Sequence, residues 1–163
     1  MRTTIPTRAA LAALACTAVL AGAAETANVP YPAGYRDWAH VKSMVIEKGH
    51  PLFEAFGGIH HIYANAPAMR GYRGGKFPDG SVIVFDLLEA PQSGNAVTEG
   101  KRKVLGVMKK DAKRIKDTGG WGFEGFAAGD RGRPVVGKDA ATACFKCHTD
   151  KKDRDFVFSE WRD

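Results

Sequence analysis

Five runs of the chain read as strands. Residues 40–46 alternate apolar and polar positions, the period of a half-buried strand. Residues 59–64 are rich in β-branched and aromatic side chains. Residues 81–88 (SVIVFDLL) follow a Pro78-Asp79-Gly80 turn signal and form the strongest strand pattern. Residues 103–108 and 121–126 complete the set, the last after Gly119-Gly120. Short helical turns are predicted over 35–39, 52–56, 66–72 (with Pro67 near its start) and 111–116. A helix is expected over 140–149, with 156–161 packing behind it. Residues 24–34, with Pro30 and Pro32, read as an extended arm or linker, and 91–100 as a polar loop. The pattern defines an α+β domain, a predominantly antiparallel sheet with short helices.

Composition narrows this picture. The chain has 163 residues, which suits one domain. Apolar residues make up 44% and charged residues 26%, a balance that excludes wholesale disorder. The 19 glycines show no Gly-X-Y period and mark turns between short strands. Three cysteines, an odd number, exclude a disulfide framework.

Residues 1–24 read as a secretory signal peptide. Arg2 and Arg8 supply the positive start, 9–20 the apolar stretch, and Ala21-Gly22-Ala23 the small-residue cleavage rule. Cleavage is expected near Ala23 or Ala24, which places residues 25–163 in the periplasm. The apolar run is shorter than the ~20 residues a membrane span needs, so a retained anchor fits less well. Cys16 leaves with the peptide. The formal charge of +6 falls to +4, with 22 basic against 18 acidic residues once Arg2 and Arg8 are removed. No coherent basic stripe stands out, so nucleic acid is not an expected partner.

Cys144-Phe145-Lys146-Cys147-His148 is a CxxCH motif, the attachment signature of c-type haem. On a helix the two cysteines share a face and His148 stands four residues from Cys144. The thiols add to the haem vinyl groups, and the imidazole becomes the proximal iron ligand. A thioredoxin-like pair wants a βαβ setting, which does not precede Cys144. A zinc site wants two further ligands at matching spacing, and none stands out. With an export signal, one covalent haem c is the expected cofactor. The four-helix cytochromes c′ also carry the motif late, but period-2 strands do not fit a bundle.

The late CxxCH stands behind Tyr35-Arg36-Asp37-Trp38, Phe77-Pro78-Asp79-Gly80-Ser81 and Gly119-Gly120-Trp121-Gly122-Phe123. In this combination the chain resembles the cytochrome P-460 superfamily over most of its length. The resemblance implies an antiparallel β domain with a C-terminal haem helix, usually a homodimer. Its members fall into two types. One joins a lysine to the porphyrin and oxidises hydroxylamine. The other, cytochrome c′-beta, lacks that bond and binds nitric oxide under a phenylalanine cap. Matched from the PDG turn, the lysine's position is held here by Phe85, with Phe56 as the second capping ring. The chain is thus most similar to cytochrome c′-beta. Ordinary core packing also explains an aromatic residue at 85, since it alternates with Ile83 and Leu87.

A second axial ligand would come from Met44, Met69, Met108, His40, His50, His60 or His61. None has a spacing that picks it out, and His60 and His61 point to opposite faces of a strand. Five-coordinate iron is expected, with nitric oxide, and carbon monoxide as a second gas, bound at the open side. A hydroxylamine-oxidising enzyme remains the alternative, with Glu124 or Asp86 as proton acceptor and Lys76 as the nearest haem-edge lysine. By alternation Asp86 should face away from Phe85, and Glu124 fits a solvent face equally well. Electron transfer with a redox partner is the third reading.

Overall fold

The computed structural model describes residues 29–162. Its centre is a five-stranded antiparallel sheet in the order β1 (Ala39–Ile46), β2 (Gly58–Ala64), β3 (Val82–Leu88), β6 (Arg102–Lys110), β7 (Trp121–Ala127). All four pairings are antiparallel, so the sheet is a meander. The polar stretch 91–100 is not wholly irregular. It carries a small hairpin, β4 (Gln92–Ser93) with β5 (Ala96–Val97), joined through Gly94 and Asn95 at positive φ.

The register divides the sheet into two faces. Ile62 lies opposite Phe85, Ala64 opposite Ile83, and Met108 opposite both Ile83 and Phe123. On this first face the core is Val41, Ile62, Ala64, Ile83, Trp121 and Phe123, closed by Ala68, Met69, Phe77 and Val157. On the second face Val84, Leu105, Val107 and Phe126 pack against Val29 and Tyr35. The stretch read as an arm or linker is therefore an arm, at least from Val29 on. Tyr31 meets Phe126 edge to face at 5.1 Å. Burying such side chains contributes about 1.5–3 kcal/mol each, enough to hold an otherwise irregular segment.

Three of the predicted helical turns sit where the sequence placed them, the first as a 3-10 turn at Tyr35–Asp37. α1 (Phe53–Phe56) is a single turn before β2. α2 (Ala66–Gly74) begins at Asn65, whose Oδ1 accepts from the backbone N–H groups of Ala68 and Val82, each at 3.0 Å. One side chain thus caps the helix and ties it to β3, a contribution of about 1 kcal/mol.

Residues 111–116 are not helical. Asp111 N–H bonds to Gly120 O at 2.8 Å, and the segment is a series of turns closing the β6–β7 connection. Arg114 and Ile115 N–H both bond to Asp111 O, at 3.2 and 2.9 Å, which closes a single turn that goes no further. The expected helix at 140–149 also takes a modified form. Ala141–Phe145 winds as a π-helical turn, passes into α3 (Lys146–His148), and continues as a 3-10 stretch, Thr149–Arg154. Wide turns of this kind are concentrated at functional sites. No described helix is long and apolar enough to cross a membrane. Residues 1–24, read as a signal peptide, lie outside the described residues.

Candidate functional site

The C-terminal segment lies on the first face of the sheet. Cys144, Phe145 and Phe156 pack against the core built on Ile62, Ile83 and Phe123. The Phe123 ring lies 5.0 Å from the His148 ring and 6.2 Å from Phe145. Phe158 meets His148 edge to face at 5.0 Å. The His148 imidazole thus stands in an aromatic surround on the sheet side of the CxxCH turn.

Its orientation is set by one hydrogen bond. His148 Nδ1 donates to the carbonyl oxygen of Phe156 at 2.7 Å. A carbonyl can only accept, so Nδ1 carries the proton and Nε2 keeps its lone pair. This is the tautomer a metal-ligating histidine adopts. Burial pushes the His148 pKa down, opposed by the bond to Phe156, so the ring is neutral at neutral pH.

The Phe156 carbonyl is itself held in place. Asp155 and Phe156 both have positive φ, 52° and 66°. Outside glycine such a conformation costs free energy and needs outside support. Lys110 Nζ supplies some, 2.6 Å from Asp155 Oδ1 and 3.0 Å from Gly119 O. Trp121 Nε1 donates to Asp155 O at 2.8 Å, and Phe77 N to Asp155 Oδ2 at 3.0 Å. Gly119 (φ 63°) is required here, because a Cβ there would lie 2.2 Å from the Phe156 ring. The GGWGF motif therefore serves the site through the turn that orients His148.

Both thiols, Cys144 and Cys147, are free. Burial raises the Cys144 pKa, and the nearby Glu124 and Cys147 charges add to the effect. Glu124, the candidate proton acceptor, has its carboxylate engaged by backbone N–H groups. Its Oε1 accepts from the backbone N–H groups of Gly125 and Val136 (both 2.8 Å) and Val135 (3.2 Å). Its Oε2 accepts from Gly137 at 3.1 Å. The carboxylate fastens the start of the haem-motif segment to the edge of β7.

Phe85 lies on the same face, with its ring 5.7 Å from that of Phe56 in an edge-to-face arrangement. His60 is beside them, its ring centroid 4.6 Å from Phe85. Phe56, Phe158 and Met44 are exposed large apolar side chains.

Asp86 faces the other way, as alternation requires. It is fully buried, taking Tyr35 Oη at 2.6 Å and Arg102 Nε at 2.5 Å. The other axial-ligand candidates divide by position. His40 Nε2 and His61 Nδ1 both reach Ser43 Oγ, at 2.9 and 2.6 Å, on the second face. His61 Nε2 stands 2.8 Å from Glu99 Oε1. His50 Nδ1 accepts from Leu52 N in an exposed turn. Met69 is core, and Met108 packs against it. Sequence reasoning missed the Lys110–Asp155 pair and the placing of Phe156. No local pattern signals them, because the partners are 45 residues apart.

The residues fit a haem. Two free thiols stand at CxxCH spacing, an imidazole is fixed in the ligating tautomer, and the adjoining sheet face is aromatic. A β-sheet protein with this site is a haem-binding cytochrome. The model of the Cytochrome P460 family matches residues 32–159, and the chain belongs to that family. A search of curated proteins finds no match to it.

Proposed function

We propose that this cytochrome carries one haem c, covalently held by Cys144 and Cys147, and binds nitric oxide at an open distal side. The observation that carries the reading is the Phe56–Phe85 pair, two rings 5.7 Å apart on the face that receives the CxxCH segment. The haem iron supplies a coordination position for a small gaseous ligand, nitric oxide or carbon monoxide. His148 Nε2 takes the proximal side, held by Phe156. Phe56 and Phe85 exclude water from the distal side and limit access by size. Phe85 occupies the position that, by resemblance, holds the cross-linking lysine of the hydroxylamine-oxidising type. Lys110, on the same face, is engaged with Asp155. Glu124 spends its carboxylate on four backbone donors. Both facts favour gas binding over oxidation.

The same reading takes residues 1–24 as a removed export leader, so the protein acts in the periplasm, as a homodimer served by a redox partner.

The test is a set of absorption spectra of the haem-loaded protein, ferric and ferrous, with and without nitric oxide, plus intact mass after denaturation. Haem retained in the denatured mass and a high-spin, five-coordinate spectrum that changes with nitric oxide are expected. A low-spin spectrum with a native sixth ligand would overturn the reading, as would haem lost on denaturation.

A further inference from the structure

The central strands β3 and β6 have one closed face and one open one. On the second face Val84, Asp86, Leu105 and Val107 are buried. On the first face Phe85, Val104, Gly106 and Met108 are only half-buried among the described residues. The opening is in the middle of the sheet, where a core would ordinarily sit. Gly106 lies at its floor, directly across from Phe85 on one side and Gly125 on the other.

Nothing within the chain requires this glycine. Its φ is not positive, and a Cβ there would meet Phe85 Cβ at 3.5 Å, an ordinary contact. A Cβ at Gly125, by contrast, would crowd Val135 at 3.1 Å. Glycine inside a strand weakens it, and often marks a place where a ligand or another backbone approaches closely. No backbone of the described residues comes closer to Gly106 than Phe85 does.

The register says what approaches. The His148 ring lies 5.0 Å from Phe123 of β7, and Phe85 belongs to β3. β6 runs between those two strands, which two strand spacings set about 10 Å apart. Phe123 is opposite Met108, and Phe85 is opposite Gly106. A line from the His148 ring to the Phe85 ring therefore passes over β6 between residues 106 and 108. A flat ring ligated by His148 and capped by Phe85 stands across that line, with one edge towards β6. Met108 is packed against the core beside it, so the clear position is Gly106.

Resting on the haem c reading above, we propose that Gly106 is a cofactor-positioning residue. Its missing side chain leaves a slot in which the porphyrin edge meets the β6 backbone. The slot sets how deep the ring sits between His148 and Phe85. A side chain at 106 lifts the ring away from the sheet and towards solvent. Water stabilises the more highly charged ferric state, so lifting lowers the reduction potential.

The test uses the haem-loaded full chain, native against Gly106→Ala and Gly106→Val. A crystal structure of the native protein should place a porphyrin edge atom within about 4.5 Å of Gly106 Cα, the limit of a packing contact. A side chain interposed between the two overturns the proposal. In solution the reduction potential is read by spectroelectrochemical titration, and it should fall from native to Gly106→Ala to Gly106→Val. A merely structural glycine predicts no shift in the alanine variant, whose Cβ meets only ordinary contacts within the chain. Equal potentials in native and Gly106→Ala therefore overturn the proposal, and the alanine variant decides if the valine variant does not fold. Haem retained in the denatured mass with unshifted potentials removes this inference and spares the haem c reading. Haem lost on denaturation removes both.

Discussion

His148 Nδ1 donates to the Phe156 carbonyl at 2.7 Å, across eight residues of chain. That bond joins the CxxCH turn to a left-handed turn whose supports come from β6, β7 and the segment before the PDG turn. The proximal side of the site is consequently sensitive to residues far from it in sequence.

Gly119→Ala tests this directly. The added Cβ meets the Phe156 ring at 2.2 Å, and φ at 119 is 63°. The ring must move, and where the strained turn at 155–156 yields with it the Phe156 carbonyl shifts too. A stability loss of about 2 kcal/mol is expected in urea unfolding. The iron–histidine vibration of the ferrous haem protein should shift as well. An unchanged vibration would show that the Phe156 carbonyl does not tune His148.

Lys110→Met removes a cation that is nearly buried beside Asp155. The carboxylate is left without its charge partner, at a cost of about 3 kcal/mol. Lys110→Arg should recover part of it. Paired denaturation curves check the ordering, which runs native, Arg, Met from most to least stable.

Glu124→Gln separates the proton-acceptor reading from the structural one. The carboxylate takes the backbone N–H groups of Gly125 and of Val135, Val136 and Gly137. Charge-assisted bonds weaken in the amide, and about 1–2 kcal/mol should be lost. Amide exchange at Val136 and Gly137 should rise by tenfold or more. If exchange is unchanged while a hydroxylamine-oxidising activity disappears, the carboxylate is catalytic after all.

Acid stability draws on Asp86 at low pH and, at higher pH, on the histidines whose pKa values burial lowers, His60 with His148 and His40. Burial disfavours charge on Asp86, but hydrogen bonds from Arg102 and Tyr35, and the Arg102 and Arg36 charges, outweigh it. Its folded pKa lies below the ordinary 3.8. Its contribution is present above that value and is lost as pH falls through the folded pKa. His60 acts at higher pH. Its folded pKa of about 4 lies below the unfolded 6.5, so the unfolded chain binds the extra proton between these values. Stability therefore falls as pH drops from 6.5 towards 4. Urea midpoints of the haem-free protein across pH 7 to 3 should show both steps. Asp86→Asn should flatten only the lower, and His60→Phe should reduce the upper without removing it, because His148 and His40 share that window.

Strand positions were legible from local signals: alternation over 40–46, β-branched and aromatic side chains over 59–64 and 81–88, and the turn residues before 81 and 121. The register follows from turns, and Pro78-Asp79-Gly80 carries its own geometry, with Gly80 at φ 83°. Residues 111–116 were misread for the opposite reason. Their local composition suits a helix, but the connection must pair Asp111 with Gly120. Phe56 and Phe85 were found by resemblance, and only the fold puts their rings in contact.

The chain alone determined the antiparallel sheet and the CxxCH motif, because both are written in residues close together in sequence. Tertiary structure alone decided what surrounds them. It gave His148 its tautomer through Phe156, braced that turn with Lys110, spent Glu124 on the β7 edge, and left His60 unpaired beside Phe85. Each of these depends on which distant groups meet, and a hydrogen bond's worth is set by the partner and burial it finds there.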